Sequence, residues 1–133
     1  MRSAIGLSPA CLESLRDLRE KREINTVMMR AEGTPPIVVT DVEANLTHEE
    51  LLEALSAEEP RLIVHELAFA TKEGTRRHEH VLILWMPPPA EAQEDTYTAG
   101  YAALQGLLPD VHVHLTARRT EHLAYPRLVA LAG

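Results

Sequence analysis

The segment from Glu59 to Pro89, EEPRLIVHELAFATKEGTRRHEHVLILWMPPP, constrains this chain more than any other. Arg61 to Ala70 and His80 to Trp85 are too rich in Leu, Ile, Val and Phe to face water on both sides, so both read as largely buried strands. Between them, Lys72-Glu73-Gly74 supplies a residue that tolerates positive φ, and Arg76 and Arg77 mark a solvated hairpin tip. Pro87, Pro88 and Pro89 then stop strand pairing, because proline has no N–H to give to a ladder. A buried hairpin with a basic tip, followed by a helix, is a scaffold for meeting another macromolecule rather than a catalytic site.

The remaining elements follow from local signals. Ser8-Pro9 opens a helix, serine as cap and proline at the first helical position, and Leu12, Leu15 and Leu18 form its apolar stripe. Thr26 to Arg30 and Ile37 to Thr40 read as short strands around a Gly33-Thr34-Pro35-Pro36 turn. Thr47-His48-Glu49-Glu50 is a capping box ahead of Leu51, Leu52 and Leu55. Ala90 to Leu108 is the longest helical stretch, Val111 to Thr116 a fifth strand, and Leu123 to Leu131 a closing helix. The order α β β α β β α β α predicts one α/β (α+β) domain over 1–133: a five-stranded mixed sheet with helices on both faces. Short turns imply antiparallel neighbours, and the strands flanking the long third helix can be parallel. Leu62, Val64, Leu82 and Leu84 are the expected central core.

Charge narrows the partners. A net charge of −7 argues against general nucleic-acid binding, which needs concentrated cation. Yet nine of the thirteen Lys and Arg residues fall in three clusters: Arg16, Arg19, Lys21 and Arg22; Lys72, Arg76 and Arg77; Arg118 and Arg119. Clustered cations on an acidic protein favour specific protein contacts, with solvated faces as the plainer explanation of any one cluster; Arg16 and Arg19 have Glu13, Glu20 and Glu23 within helical pairing distance. No apolar run approaches the roughly 20 residues of a membrane span. The lone Cys11 permits no internal disulfide, which fits a cytoplasmic location, and it reads as a small core residue of the first helix.

The element order, the Trp85-Met86-Pro87 closure and the long third helix resemble the actin-depolymerising-factor homology (cofilin-like) domain, over essentially the whole chain. Within that superfamily, Leu15-Arg16-Asp17-Leu18-Arg19-Glu20-Lys21-Arg22-Glu23-Ile24-Asn25 looks like the first-helix motif of the glia maturation factor branch. Glu59-Pro60-Arg61, Gln93-Glu94, Ala99-Gly100 and Thr120-Glu121-His122-Leu123 are similar to that branch as well. The resemblance implies a non-enzymatic, cytoskeletal regulator that binds the actin-related protein 2/3 complex, inhibits branch nucleation and promotes debranching, with actin itself a second partner. It places partner contacts on Arg16, Arg19 and Arg22 of the first helix. A second surface is implied at the hairpin tip and C-terminal region: Lys72, Arg76, Arg77, Arg119 and Glu121. A third, where the sequence departs from the branch pattern, falls on Gln93, Glu94 and Gly100. The alternative is a cofilin-type protein that depolymerises or severs filaments. Ala90 to Leu108 holds no Lys or Arg and carries Glu91, Glu94 and Asp95, so the cationic third helix by which cofilins grip actin is missing here.

Other chemistries find less support. His78-Glu79-His80 and His112-Val113-His114 each put two imidazoles on one side of a strand, a spacing that can chelate zinc, but no third element offers an obvious carboxylate or thiolate. They read as strand-face histidines, with no metal and no cofactor expected. No nucleophile elbow, phosphate-binding loop or Cys-His pairing is present, so no catalytic residue is assigned. Tyr97 and Tyr101 read as packing residues. Ser3 sits where cofilins carry a regulatory phosphoserine.

Overall fold

In chain order the elements are β1 (Gly6–Leu7), α1 (Pro9–Glu20), β2 (Thr26–Glu32), β3 (Ile37–Ala44), α2 (His48–Ala54), β4 (Arg61–Ala70), β5 (Arg76–Trp85), α3 (Glu94–Leu107), β6 (Val113–Ala117) and α4 (Tyr125–Ala132). Two 3-10 segments, Pro88–Gln93 and Thr120–Leu123, lead into α3 and α4. The computed structural model describes residues 5–20 and 23–133. Ser3, Lys21 and Arg22 lie outside the described residues.

The strands form one mixed sheet in the order β1-β3-β2-β4-β5-β6. Pairs joined by short turns are antiparallel, and β5 and β6, which flank α3, are parallel, as expected. The sheet has six strands rather than five: Gly6 and Leu7 pair in parallel with Ile37 and Val38 at one edge. Two residues carry no periodicity, so nothing in the sequence could announce them.

Strand alternation splits the core in two. Leu62, Val64, Leu82 and Leu84 are each at most 4% exposed and cluster with Leu15 and Leu18 of α1 and Tyr97 and Leu104 of α3. Their neighbours Ile63, Leu67, Ile83 and Trp85 face the other way, onto Leu51 of α2 and Leu128 of α4. The Trp85 indole N–H donates to the Ser56 carbonyl at 2.8 Å, so this buried ring keeps a hydrogen-bond partner.

Several local expectations need adjustment. β5 begins at Arg76 rather than His80, because Arg76 and Arg77 pair with Ala70 and Phe69. The turn proper is Thr71 to Thr75, closed by Thr71 N–H to the Thr75 carbonyl at 2.8 Å, with Gly74 at φ 85. The stretch read as one helix from Ala90 is a 3-10 segment followed by α3; three successive prolines supply no N–H to start an α-helical ladder. On α1 the buried face is Cys11, Ser14, Leu15 and Leu18, the i, i+3, i+4, i+7 pattern. Leu12 is 45% exposed and is not part of it.

Candidate partner-binding surface

The outer face of α1 starts from a capped helix. Ser8 Oγ accepts from Cys11 N–H at 3.1 Å, and Pro9 fills the first turn. With Leu15 and Leu18 fixed against the sheet, Arg16 and Arg19 point to solvent, three residues apart on one face. Among the described residues Arg19 pairs away from its own helix: its Nη2 lies 2.8 Å from Oδ1 of Asp110, in the loop between α3 and β6. Arg16 makes no ion pair among the described residues. Both members of the Arg19–Asp110 pair are well exposed, so the bond contributes about 0–1 kcal/mol and can be exchanged for a partner's carboxylate.

Next to this pair the sheet carries a second group of charges. Glu66 Oε1 lies 2.9 Å from His78 Nδ1, and its Oε2 lies 3.6 Å from His80 Nε2. Burial pushes the pKa of His80 down; Glu66 and Asp110 oppose that shift and Arg19 adds to it. The two imidazoles thus share one carboxylate, and among the described residues no group of three or more His, Cys, Asp or Glu is arranged to hold a metal ion. Asp110 and Glu66 escaped the sequence reading because each meets its partner only through the tertiary fold.

The cation-free third helix has a different character. Its exposed residues are Asp95, Thr98, Ala102, Gly106 and, at the last turn, Leu107: one acid, no cation and an apolar end. Tyr97 turns inward, 3% exposed, and its hydroxyl accepts from Ala31 N–H at 2.9 Å. At the helix start Glu94 pairs with Arg118 at 2.8 Å, while Gln93 is exposed. Gly100, assigned above to partner contact, is buried: a Cβ there would stand 2.7 Å from Leu62 Cδ1 and 3.2 Å from Val38 Cγ2. Its role is close approach of helix and sheet, and it cannot reach a partner.

At the hairpin, Lys72 and Arg76 are exposed, whereas Arg77 is held by Glu79 and lies 5.7 Å over the Phe69 ring. Arg119 and Glu121 are also exposed, but they follow Ala117, which is in register with Trp85 and through it with Arg61. That row lies nine residues from the Ala70–Arg76 pair, about 30 Å along the strand. The hairpin tip and the segment after β6 are therefore separate surfaces rather than one. Arg22, the third arginine of the first-helix motif, lies outside the described residues.

The sequence pattern of a family described as cofilin/tropomyosin-type actin-binding protein matches residues 4–130. The chain belongs to that family. Its fold is similar to that of a cofilin from Streptomyces griseoflavus, with a TM-score of 0.86 at 17% identity over 98% of both chains. It is likewise similar to actin depolymerization factor 2 of Plasmodium berghei (TM-score 0.83, 18% identity, 98% of both chains). Coactosin from Entamoeba histolytica superposes with a TM-score of 0.79 at 16% identity, over 98% of this chain and 99% of that one. No curated protein sequence matches. At these identities the structural likeness establishes the fold, a cofilin-like domain across the chain, and leaves the branch within the family to the surface residues. No described helix of this domain is long and apolar enough to cross a membrane.

Proposed function

We propose that this domain regulates the actin cytoskeleton in the manner of glia maturation factor, binding the actin-related protein 2/3 complex to inhibit branch nucleation and promote debranching. The observation that carries the reading is the outward pair Arg16 and Arg19 on a domain whose third helix is free of cations. Arginine suits this contact because its planar fork can bridge carboxylates or carbonyls with two bonds, and Arg19 already engages a carboxylate in the free protein. Lys72 and Arg76 at the hairpin tip and Arg119 and Glu121 after β6 form two further contact zones, reaching a complex and an adjoining actin subunit from opposite ends of the sheet. The absence of any cation on α3, with Asp95 on its solvent face, weakens docking on an acidic actin surface and disfavours the cofilin-type severing alternative.

The test is the double variant Arg16→Glu, Arg19→Glu, assayed for retention by the purified complex, for co-sedimentation with actin filaments and for thermal melting. The wild-type domain is expected to be retained by the complex, and the variant to lose about 2–5 kcal/mol of binding if both arginines become buried in the interface. Its melt should stay within about 0.5 kcal/mol, since both side chains are exposed. Equal retention of variant and wild type with native melts would remove these arginines from the site. Filament severing as strong as that of an ordinary cofilin would install the alternative reading.

A further inference from the structure

β6 is the last strand of the sheet, and among the described residues no strand lies beyond it. The Ala117 carbonyl accepts from Met86 N–H at 2.8 Å, which aims the backbone of Ala117 at the β5 side. Backbone groups alternate sides along a strand, so Val113 and Leu115 also face inward, while His114 and Thr116 turn their N–H and C=O outward. The next outward donor, the Arg118 N–H, is closed by Nδ1 of His122 at 3.2 Å. His114 and Thr116 thus present an open ladder with a capped end.

Beside this edge lies a groove of about 510 Å³ between β6 and α4, lined by Leu115, Thr116, His122, Arg127, Ala130 and Leu131. Leu131 is 58% exposed and Leu115 is half-buried, so the groove offers apolar surface to a visitor. Arg127 lines the groove and Arg119 follows the strand's C-terminal end; both are exposed and neither makes an ion pair among the described residues. Arg118 is engaged by Glu94, and Glu121 is the carboxylate of the segment after β6. On a chain of net charge −7, this edge is locally cationic.

We propose that the β6 edge accepts an extended acidic segment of a partner protein as a seventh strand. The segment's backbone completes the ladder at His114 and Thr116. Its groove-facing side chains, every second residue, are carboxylate and apolar by turns: the carboxylates face Arg127 and Arg119, and the apolar groups cover Leu115 and Leu131. Charge complementarity selects this occupant over a second copy of the chain, which would bring the same arginines and histidines face to face across the new pair. The surface is independent of Arg16 and Arg19, so the proposal stands apart from the reading of α1.

The experiment adds an end-blocked octapeptide of repeating Glu-Glu-Val-Val, which puts both side-chain types on each face of the strand, to the full chain and follows backbone amides by NMR and hydrogen exchange. The His114 and Thr116 amides should shift and gain protection, with Val113 and Leu115 little changed. Thr116→Pro removes an outward donor and no inward ladder bond, so it should weaken the peptide on the order of tenfold while keeping the fold. Arg127→Glu, which leaves the strand backbone intact, should weaken it several-fold and flatten its salt dependence; this variant decides the matter if the proline variant does not fold. A lysine-valine peptide should not bind. Unshifted His114 and Thr116 amides at millimolar peptide, equal binding of the lysine peptide, or a concentration-dependent dimer paired through β6 would each overturn the proposal.

Discussion

His65 is 3% exposed on the sheet face that α2 and α4 cover, with Nδ1 2.7 Å from the Thr26 hydroxyl. That hydroxyl also reaches Asn25 Oδ1 at 2.8 Å, an arrangement satisfied when Thr26 donates to the amide and neutral His65 donates from Nδ1. Burial pushes the His65 pKa from 6.5 down to about 4, and the imidazoles of His48 and His80 act in the same direction. Between those two values the unfolded chain binds a proton that the folded chain refuses. Stability is therefore full above pH 6.5 and falls as pH is lowered, by about 2 kcal/mol at pH 5 and about 3 kcal/mol at pH 4. Burial lowers the pKa of His48 and of His80 as well, and both add with the same sign. Urea titrations at pH 7.5, 6 and 5 should show the midpoint dropping, and His65→Gln should flatten that drop whatever it does to stability at pH 7.5. A slope unchanged in the variant would assign the acid sensitivity elsewhere. Sequence reasoning singled out the His-x-His pairs and passed over this histidine, because an isolated polar residue in an apolar strand carries no motif.

The two glycines of α3 separate packing from propensity. Both lower helix propensity by about 0.5–1 kcal/mol relative to alanine, so propensity alone predicts that either would gain from a methyl group. Gly100, however, faces Leu62 and Val38, both 0% exposed, and its Cβ would stand 2.7 Å and 3.2 Å from their methyl groups. A close-packed core yields little, and overpacking costs about 1–3 kcal/mol. Gly100→Ala should therefore destabilise by about 1 kcal/mol, while Gly106→Ala, with nothing within 4 Å of its Cβ, should stabilise by up to about 1 kcal/mol. Chemical denaturation of the two variants checks the signs; a stabilised Gly100→Ala would mean that helix and sheet separate easily. Most elements were legible because their signals are local: the Thr47–Glu50 capping box is present as read, and the alternation of Leu62, Val64, Leu82 and Leu84 names one face of the sheet. Legibility ended where a neighbour decides the outcome. Gly100 is inward because β3 and β4 lie beneath it, Arg76 and Arg77 are strand residues because β4 runs on to Ala70, and Arg19 pairs with an aspartate 91 positions further along the chain.

Two cores sharing one sheet raise the question of whether this molecule unfolds in one step. The α1/α3 layer holds Val27, Met29, Leu62, Val64, Leu82 and Leu84; the α2/α4 layer holds Met28, Ile63, Leu67, Ile83 and Trp85. Neither list can be released without the other, because consecutive residues of the same three strands alternate between them. Peeling one helical layer away would expose one side of β2, β4 and β5 to water while their backbones remained paired, a state that loses burial and gains little chain entropy. The layers can be watched separately. Trp85 is the sole tryptophan and reports the α2/α4 side, whereas α1 and α3, at 12 and 14 residues against 7 and 8 for α2 and α4, dominate the helical circular dichroism. Urea transitions followed by tryptophan fluorescence and by dichroism at 222 nm should therefore coincide, as they do for most single domains of this size. The stronger form of the prediction uses Leu128→Ala, a cavity in the α2/α4 layer at a residue 0% exposed. It should cost about 2–5 kcal/mol and move both transitions together, including the one that reports mainly on helices across the sheet. If the fluorescence transition moved and the dichroism transition stayed, the shared strands would not be coupling the two layers.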